Sequence, residues 1–328
     1  MAYYVLMTLW LKYDNKFLQD GLGAQALRQS VISGIAQYFG CKFIYTQIFS
    51  PHQHFSSNFN TTEEIKEQSR TVSDYFNFNY ESSLPKKFDK RLKIKDLMPF
   101  EFLELLARYK FSRSDVLLEI GFPFYLLYRF PNCLKHLPGI YQKSKQRMVS
   151  VSDNNLVVHL RIGYGNLVTT NGTPRHLPIQ YFVDALRTVF IRQNVSMDSK
   201  IIIHTDAPER STTFKIISEH TLNELTSQGV TNGTAEVILQ PPDFSSIKSL
   251  FSEFNLEIKY GADWIETFED MAEAQILLMA RSAYSYLSGI YNPNTVIWPN
   301  NHGHSKLRNW ISSNEIGVDA TKFQLVKG

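Results

Sequence analysis

The stretch HLRIGYGN at His159–Asn166 decides the fold, because a strand that carries two basic side chains breaks there at two glycines. An apolar run precedes it, so we predict a strand over residues 156–161. His159 and Arg161 lie two residues apart and therefore point to one face. A planar guanidinium can bond two pyrophosphate oxygens at once, which makes Arg161 a candidate anion ligand. Two plainer roles stay open: Arg161 paired with a carboxylate between domains, and His159 as a buried core histidine.

Around this stretch, the second half of the chain alternates strands with helices, a pattern typical of parallel Rossmann-like sheets. We predict helices over residues 178–192, 246–254 and 268–274. We predict further strands over residues 201–205, 237–239, 256–259, 276–280 and 295–298. Such sheets bind ligands at the carboxyl ends of their strands, so this half is predicted to form a nucleotide-binding domain.

The first half shows the same alternation more weakly. Strands are predicted over residues 3–9, 43–47 and 116–120, with a helix over 22–39. Residues 50–95 lack clear periodicity and end in the basic run Lys86–Lys95, which indicates a solvated insertion. The polar bridge Lys143–Arg147 suggests a boundary. The 328 residues are therefore predicted to form two domains, 1–148 and 149–328.

The composition excludes several classes of protein. Lysine and arginine total 34 against 31 acidic residues, and a net charge of +3 argues against a nucleic-acid partner. Cys41 and Cys133 fit buried free thiols rather than a disulfide framework or a zinc site. The N-terminal apolar run lacks a basic start and is too short to span a bilayer, so we expect a cytoplasmic protein. The Lys86–Lys95 run leaves open weak peripheral contact with an anionic membrane.

Three more segments lie at the ends of predicted elements. Asp206 follows the strand over 201–205, where it could hold ribose hydroxyls, orient a base or cap a helix. The segment Arg281–Tyr286 begins a helix whose hydroxyl and backbone N–H groups suit phosphates, with a serine N-cap as the plainer role. Within it, Tyr284 could stack on a base or a sugar. The segment Asp20–Gln25 turns through two glycines, which fits either a ligand or a simple turn.

Taken in order, these segments resemble the motifs of the α1,2/α1,6 and protein O-fucosyltransferase superfamily, and His159–Gly163 is most similar to the nodulation-type α1,6 enzymes. The resemblance covers most of the chain except about residues 50–150. It implies an α/β GT-B fold, in which two Rossmann-like domains face a central cleft and the acceptor lies on the side of the first domain. It also implies an inverting, metal-independent glycosyltransferase without a cofactor, which moves fucose from GDP-fucose to a hydroxyl of a glycan or glycolipid.

The resemblance also implies roles for single residues. Arg161 and Asp206 would be catalytic, and Arg161 would help the nucleoside diphosphate to leave. The donor-binding residues would be His159, Arg161, Gly163, Asp206, Glu269, Ser282, Tyr284 and Ser285. The acceptor side of the cleft would contain Gly21, Gly23 and Gln25. No metal site is implied.

Departures from the family pattern leave alternatives open. Ala24 replaces the family's asparagine, Ala283 replaces a serine, and residues 167–175 contain no carboxylate that could act as a base. The donor could ionise before attack, or another carboxylate could serve as the base. Candidates for that base are Asp206, Glu209 and Glu269. Two alternatives to fucosyl transfer follow: a transferase for a different nucleotide sugar, and an inactive carbohydrate-binding homologue.

Overall fold

The computed structural model describes most of the chain. The described residues are 9–14, 22–47, 55–56, 62–78, 87–109, 114–137, 155–162, 177–196, 198–216, 226, 236–239, 241–300 and 302–321. Contacts divide the chain into two units. Unit 1 comprises Met1–Gln53 and Phe59–Val149, and unit 2 comprises His54–Asn58 and Ser150–Gly328.

Strands and helices alternate along the described residues. The strands are β1 (Leu9–Tyr13), β2 (Lys42–Ile44), β3 (Phe55–Ser56), β4 (Lys90–Asp96), β5 (Val116–Phe122), β6 (Leu156–Leu160), β7 (Lys200–Thr205), β8 (Thr212–Ile216), β9 (Glu236–Leu239), β10 (Asn255–Tyr260), β11 (Ile276–Leu278), β12 (Thr295–Trp298) and β13 (Ile311–Ser312). The helices are α1 (Leu22–Phe39), α2 (Thr62–Tyr75), α3 (Pro99–Tyr109), α4 (Phe124–Arg129), α5 (Ile179–Arg192), α6 (Phe244–Leu250), α7 (Trp264–Glu273) and α8 (Ala283–Tyr291). A 3-10 turn, Pro131–His136, follows α4.

Unit 1 is built on a parallel sheet of four strands in the order β2-β1-β5-β4. The central strands β1 and β5 are buried along nearly their whole length, as expected for a sheet covered on both faces. Helix α1 approaches the 3-10 turn closely at Gly34. A Cβ atom there would lie 2.9 Å from the carbonyl oxygen of Cys133, so only glycine fits without a shift of the backbone.

Unit 2 is built on a parallel sheet of six strands in the order β10-β7-β6-β11-β12-β13. Numbered along the chain, this is the order 3-2-1-4-5-6 of Rossmann folds. Alternate residues of β6 point to opposite faces. Leu156, Val158 and Leu160 enter an apolar core with residues of α5. His159 points to the other face, where its ring contacts Tyr284 of α8.

The two parallel sheets confirm the predicted α/β class with two Rossmann-like units. Helix α1 and strand β12 have the predicted bounds. The apolar pattern of α1 is long, and that of β12 has sharp ends. The predicted strand over 3–9 falls mainly outside the described residues, and the observed β1 is Leu9–Tyr13. The predicted parallel strand over 237–239 is wrong in its pairing. Strand β9 instead belongs to a small antiparallel sheet in the order β3-β8-β9.

The predicted insertion over residues 50–95 contains regular structure. Helix α2 lies within it, and Lys90–Asp96 forms β4, which pairs in parallel with β5 at the edge of the sheet. Basic side chains alternate with Leu92 and Ile94 there, as is common for an edge strand that is exposed to water. Among the described helices, none combines the length and the apolar character that crossing a membrane requires. Cytoplasmic location and peripheral membrane contact stay predictions.

Candidate functional site

The connections of the six-stranded sheet reverse direction between β6 and β11. From β6 the chain moves outward through β7 and β10, and from β11 it moves the other way through β12 and β13. Parallel α/β sheets bind ligands in the crevice at the carboxyl ends of the strands that flank such a reversal. Arg161 directly follows β6, and Ser282 lies a few residues after β11. Both predicted residues therefore lie at this reversal.

Arg161 joins the ends of three strands. Its Nη1 atom donates a hydrogen bond of 3.2 Å to Ser282 Oγ, and its Nε lies 3.8 Å from Asp206 Oδ2. Asp206 directly follows β7, the neighbour of β6 in the sheet. The side chains of Arg161 and Asp206 are 22% and 23% exposed, so both are partly shielded and still open to a ligand. We call Arg161, Asp206 and Ser282 the unit 2 edge.

A helix begins at the same point. Ser282 is the N-cap residue of α8, and its Oγ accepts a hydrogen bond of 3.1 Å from the backbone N–H of Tyr284. The first turn of a helix has backbone N–H groups without helical partners and carries partial positive charge, which favours anions. The Ser282 hydroxyl thus links a helix N-terminus to a guanidinium. Together they form a site that suits a phosphate or pyrophosphate.

The structure places Ser285 inside the fold and leaves Tyr284 partly exposed. The Tyr284 hydroxyl donates a hydrogen bond to the carbonyl of Trp264, which ties α8 to α7. Burial raises the pKa of Tyr284 well above its ordinary value, and the charges of Asp263 and Glu269 raise it further. Ser285 is fully buried, and its hydroxyl lies within hydrogen-bond distance of the carbonyls of Ala280 and Ser282. Both hydroxyls therefore stabilise α8, and the role of Tyr284 and Ser285 in donor binding stays a prediction.

His159 lies beneath the unit 2 edge as a neutral, buried imidazole. It is 6% exposed, and its ring meets the Tyr284 ring edge-on at 6.2 Å between centroids. Burial, together with the nearby charges of Arg161 and His204, lowers the pKa of His159 to about 3. A neutral ring avoids adding a second buried positive charge beside Arg161. The plainer role of a core histidine therefore describes its surroundings best.

A polar network that the sequence analysis missed lies next to His159. His204 of β7 is in register with His159, and its Nε2 lies 2.8 Å from Asp270 Oδ2 on α7. Lys259 of β10, the next strand, also donates to Asp270 Oδ2 at 2.8 Å. Burial raises the pKa of Asp270, but the hydrogen bonds from His204 and Lys259 lower it more, so the net shift is downward. The network fixes α7 against the strand that presents Asp206.

The remaining predicted residues divide between described and undescribed parts of the chain. Gly21 and Gly163 lie outside the described residues. Gly23 lies in the first turn of α1, Gln25 is fully buried on α1, and Glu269 is partly buried on α7. Asp206 does not cap a helix, because the next described element is β8; instead Thr205 Oγ1 accepts the backbone N–H of Ala207 at 3.1 Å.

The described residues contain no group of three or more histidine, cysteine, aspartate or glutamate side chains that could hold a metal ion. The unit 2 edge itself combines one carboxylate with a guanidinium and a hydroxyl, and an arginine repels a cation rather than ligating it. The chemistry that this edge offers is anion binding. Metal independence of a reaction stays a prediction.

The chain is similar to several solved structures at low sequence identity. No protein-family model and no curated protein matches it. A mutant of FUT1 from Arabidopsis thaliana in complex with GDP is 9% identical with a TM-score of 0.40, over 90% of this chain and 71% of that one. The E. coli heptosyltransferase WaaC with ADP is 11% identical with a TM-score of 0.40, over 96% and 97% of the two chains. POFUT1 in complex with GDP-fucose is 8% identical with a TM-score of 0.40, over 93% and 97%. Similarity at this level defines neither a family nor an activity for this chain.

Proposed function

We propose that this protein is a glycosyltransferase that uses a nucleotide sugar and binds the donor diphosphate at the unit 2 edge. One observation carries the proposal: Arg161 and the N-terminus of α8 meet at Ser282, with 3.2 Å between Arg161 Nη1 and Ser282 Oγ. The meeting point lies at the reversal of a sheet with Rossmann strand order. This combination provides a fixed cation and oriented N–H donors for the two phosphates of a nucleoside diphosphate.

The same groups suit the chemistry of transfer. An acceptor hydroxyl attacks the anomeric carbon and gives its proton to a carboxylate, for which Asp206, Glu209 and Glu269 are the candidates. The bond from that carbon to the diphosphate oxygen breaks, and the diphosphate leaves with the electron pair. Negative charge grows on the leaving oxygen as this bond breaks, so groups that already bind the diphosphate bind the transition state more strongly. Arg161 and the α8 N-terminus would supply this stabilisation. Asp206 would orient Arg161 or hold a hydroxyl of the donor.

The finer proposal concerns the donor and the outcome of the reaction. The ordered motifs of the sequence support GDP-fucose as the donor, inversion at the anomeric carbon, no requirement for a metal or other cofactor, and a glycan or glycolipid hydroxyl as the acceptor. His159 and Glu269 then act as supports of the donor site, together with Ser282, Tyr284 and Ser285. Gly163 would lie beside the diphosphate, and Gly23 and Gln25 on the acceptor side.

Calorimetric titration tests the binding part of the proposal. We expect GDP or another nucleoside diphosphate to bind the wild type, and Arg161→Ala to weaken the affinity roughly 100-fold through the loss of charge-assisted hydrogen bonds. Arg187→Ala is the matched control, since Arg187 is exposed on α5 and pairs with Glu253. Absence of binding by all nucleoside diphosphates, or equal affinity of Arg161→Ala and wild type, would refute the proposal.

A donor screen tests the reaction. Nucleotide release is measured with GDP-, ADP-, UDP- and dTDP-sugars, with and without EDTA, in the wild type and in Arg161→Ala. Release that depends on Arg161 identifies the nucleotide and the sugar, and equal rates with EDTA show metal independence. Tight binding without any release would instead support an inactive homologue.

A further inference from the structure

The strand next to β7 ends beside the unit 2 edge in an aromatic side chain that the proposed diphosphate site does not use. Tyr260 is the last residue of β10 and is in register with Thr205, which directly precedes Asp206. The backbone N–H of Gly261 bonds to the carbonyl of Thr205 at 3.4 Å, so the two strand ends stay together. The carboxyl ends of the strands therefore continue from Arg161 after β6, past β7, to Tyr260 on β10.

The Tyr260 ring is held on one side and lies next to open space. Phe244, the first residue of α6, meets it edge-on with 4.4 Å between the ring centroids, and both residues are partly exposed. The chain then turns at Gly261, whose φ is 50°. A Cβ atom at Gly261 would have no atom within 4 Å, so the space beside the end of β10 is open. An aromatic ring beside open space is suited to stacking on a nucleobase.

A carboxylate lies in the loop beside this ring. Glu209 follows Asp206 by three residues in the loop after β7, and it is exposed. Burial raises the pKa of Tyr260, and the nearby negative charge of Glu209 raises it further. Among the described residues, none forms a hydrogen bond or an ion pair with the Glu209 carboxylate. Both of its oxygens can therefore accept hydrogen bonds from a ligand.

The separation of the strand ends suits a nucleotide. Neighbouring strands lie about 4.8 Å apart, so the ends of β6 and β10, with β7 between them, are separated by about 10 Å. In a nucleotide, the ribose bridges a gap of this size between the phosphates and the base. A diphosphate bound at Arg161 would thus place its ribose across the end of β7 and its base at Tyr260.

A carboxylate at this point distinguishes the bases. An ionised carboxylate only accepts hydrogen bonds, and its two oxygens pair best with two donors that lie side by side. Guanine presents such a pair in its N1–H and its 2-amino group. Adenine has one amino group on the corresponding edge. Uracil and thymine have one N–H between two carbonyls, which repel a carboxylate.

We propose that Tyr260 and Glu209 form the nucleobase subsite of the donor site, in which Tyr260 stacks on the base and Glu209 selects guanine. The inference rests on the proposed function, because it takes the diphosphate of the same nucleotide to lie at Arg161. It also narrows the choice of the base that accepts the proton of the acceptor hydroxyl. With Glu209 at the nucleobase, Asp206 and Glu269 remain as candidates.

Calorimetric titration with four probes tests the subsite: inorganic pyrophosphate, GDP, ADP and inosine diphosphate, which lacks the 2-amino group of GDP. We expect the wild type to bind GDP about tenfold more tightly than the other two nucleotides, through a paired hydrogen bond to a charged group. Glu209→Gln should reduce this preference below about twofold, because its amide has one neutral acceptor. Tyr260→Ala should weaken binding of all three nucleotides about tenfold through the loss of stacking.

Pyrophosphate is the internal control, because it has no base. Its affinity should depend on Arg161 and change less than about twofold in Glu209→Gln and Tyr260→Ala, since Glu209 is exposed and its charge is screened. Glu104→Gln and Tyr125→Ala change exposed residues of unit 1 and are the matched control variants. Because Tyr260→Ala could destabilise β10, Tyr260→Phe is the second variant. It keeps the ring and should bind the nucleotides as the wild type does.

The outcomes separate this inference from the proposed function. Pyrophosphate binding that depends on Arg161, with the same base preference in Glu209→Gln as in the wild type, overturns the subsite and leaves the diphosphate site intact. A wild type that binds ADP at least as tightly as GDP has the same meaning. A preference for GDP that depends on Glu209, with pyrophosphate binding that does not depend on Arg161, supports the subsite and contradicts the diphosphate site.

Discussion

The two parallel sheets of this protein differ in their strand connections and in the charged groups beside their central strands. At the unit 2 edge an arginine meets a helix N-terminus, and the single carboxylate, Asp206, lies 3.8 Å from the guanidinium. In unit 1, two buried carboxylates, Asp14 and Glu119, lie 4.0 Å and 3.6 Å from the Nζ atom of Lys93. The arrangement in unit 2 favours an anion.

This difference shows what strand topology determines and what it does not. A reversal of strand connections creates a crevice in the six-stranded sheet of unit 2, because it separates the loops that follow β6 and β11. Among the described strands of unit 1, the step from β4 to β5 runs in the same direction as the step from β1 to β2. The ligand of a crevice is selected by the side chains that the sequence places at its loops, and the predictions below test this difference between the units.

The largest expected effect is a loss of unit 2 stability at acidic pH. His159 in unit 2 has a pKa of about 3, against an ordinary value of 6.5. Between these values the unfolded chain binds a proton that the folded chain does not. The contribution of His159 to the stability of unit 2 should therefore be fully present above pH 6.5 and fall by roughly 1.4 kcal/mol per pH unit below it, about 5 kcal/mol in all by pH 3. Urea unfolding at a series of pH values measures this slope.

Tryptophan fluorescence can restrict this measurement to unit 2. Of the four tryptophans, Trp10 belongs to unit 1 and the other three to unit 2, so a Trp10→Phe background reports on unit 2 alone. The variant His159→Gln cannot titrate and should flatten the slope relative to its parent. The part of the slope that remains is expected from His302, whose pKa burial also lowers, and at lower pH from the carboxyl groups of Asp243, Asp270 and Glu315, whose pKa values hydrogen bonds lower. An unchanged slope in His159→Gln would show that the pH dependence does not come from His159.

The prediction for acidic pH concerns His159, which the sequence analysis identified from its motif. The sequence could not predict which side chains surround it. A histidine two residues before an arginine predicts a shared face, and the structure confirms that face. Its partners come from register between strands: His204 lies beside His159 only because β6 and β7 pair with that offset. Local periodicity contains no such information, so the network around Asp270 could not be predicted.

The fold was predictable mainly where strands are buried, whereas helices α2 and α3 of unit 1 were not predicted. Arg161, Asp206 and Ser282 were found because the sequence analysis placed ligands at strand ends, and the structure brings all three together. Strand β4 was missed because an exposed edge strand with alternating lysines resembles a solvated loop. Asp14 and Glu119 were missed as well, although a glutamate inside the apolar strand Val116–Phe122 is a visible signal.

The second prediction compares two closely packed glycines, Gly34 in α1 of unit 1 and Gly289 in α8 of unit 2. A Cβ at Gly34 in unit 1 would lie 2.9 Å from a backbone oxygen, whereas one at Gly289 in unit 2 would lie 3.0 Å from the Trp310 ring. A side chain can yield where a backbone cannot. Gly34→Ala should therefore cost about 2 kcal/mol and Gly289→Ala about 1 kcal/mol.

Hydrogen exchange measured by peptide distinguishes the two variants. Gly34→Ala should speed exchange in α1 roughly 30-fold if exchange proceeds through unfolding of unit 1, while α8 stays protected. Gly289→Ala should speed hydrogen exchange in α8. It should also weaken nucleotide binding, because the N-terminus of α8 lies at the unit 2 edge. Equal effects of both variants on both helices would mean that the units unfold together.

The third prediction separates charge from geometry at the unit 2 edge. Arg161→Lys keeps a positive charge but loses the planar fork that can bond Ser282 and a phosphate together. We expect nucleotide affinity about tenfold below wild type, between that of wild type and that of Arg161→Ala. Calorimetry with the preferred nucleoside diphosphate measures this. An affinity of Arg161→Lys equal to that of the alanine variant would mean that the fork provides all of the binding.

The smallest expected effect comes from the one carboxylate of the unit 2 edge. Asp206 lies 3.8 Å from Arg161 Nε and offsets part of its charge. Asp206→Asn should therefore tighten binding of a nucleoside diphosphate about threefold, since a surface charge pair is worth up to about 1 kcal/mol. The gain should shrink at high salt, because both side chains are partly exposed and screened.

The sign of this small effect decides the role of Asp206. If Asp206 only neighbours Arg161, the nucleoside diphosphate and the intact nucleotide sugar both bind more tightly to Asp206→Asn. If its carboxylate holds a hydroxyl of the donor sugar, the nucleotide sugar loses affinity while the diphosphate gains it. In the second case the carboxylate of Asp206 recognises a hydroxyl group of the donor sugar, while Arg161 and the α8 N-terminus bind the diphosphate.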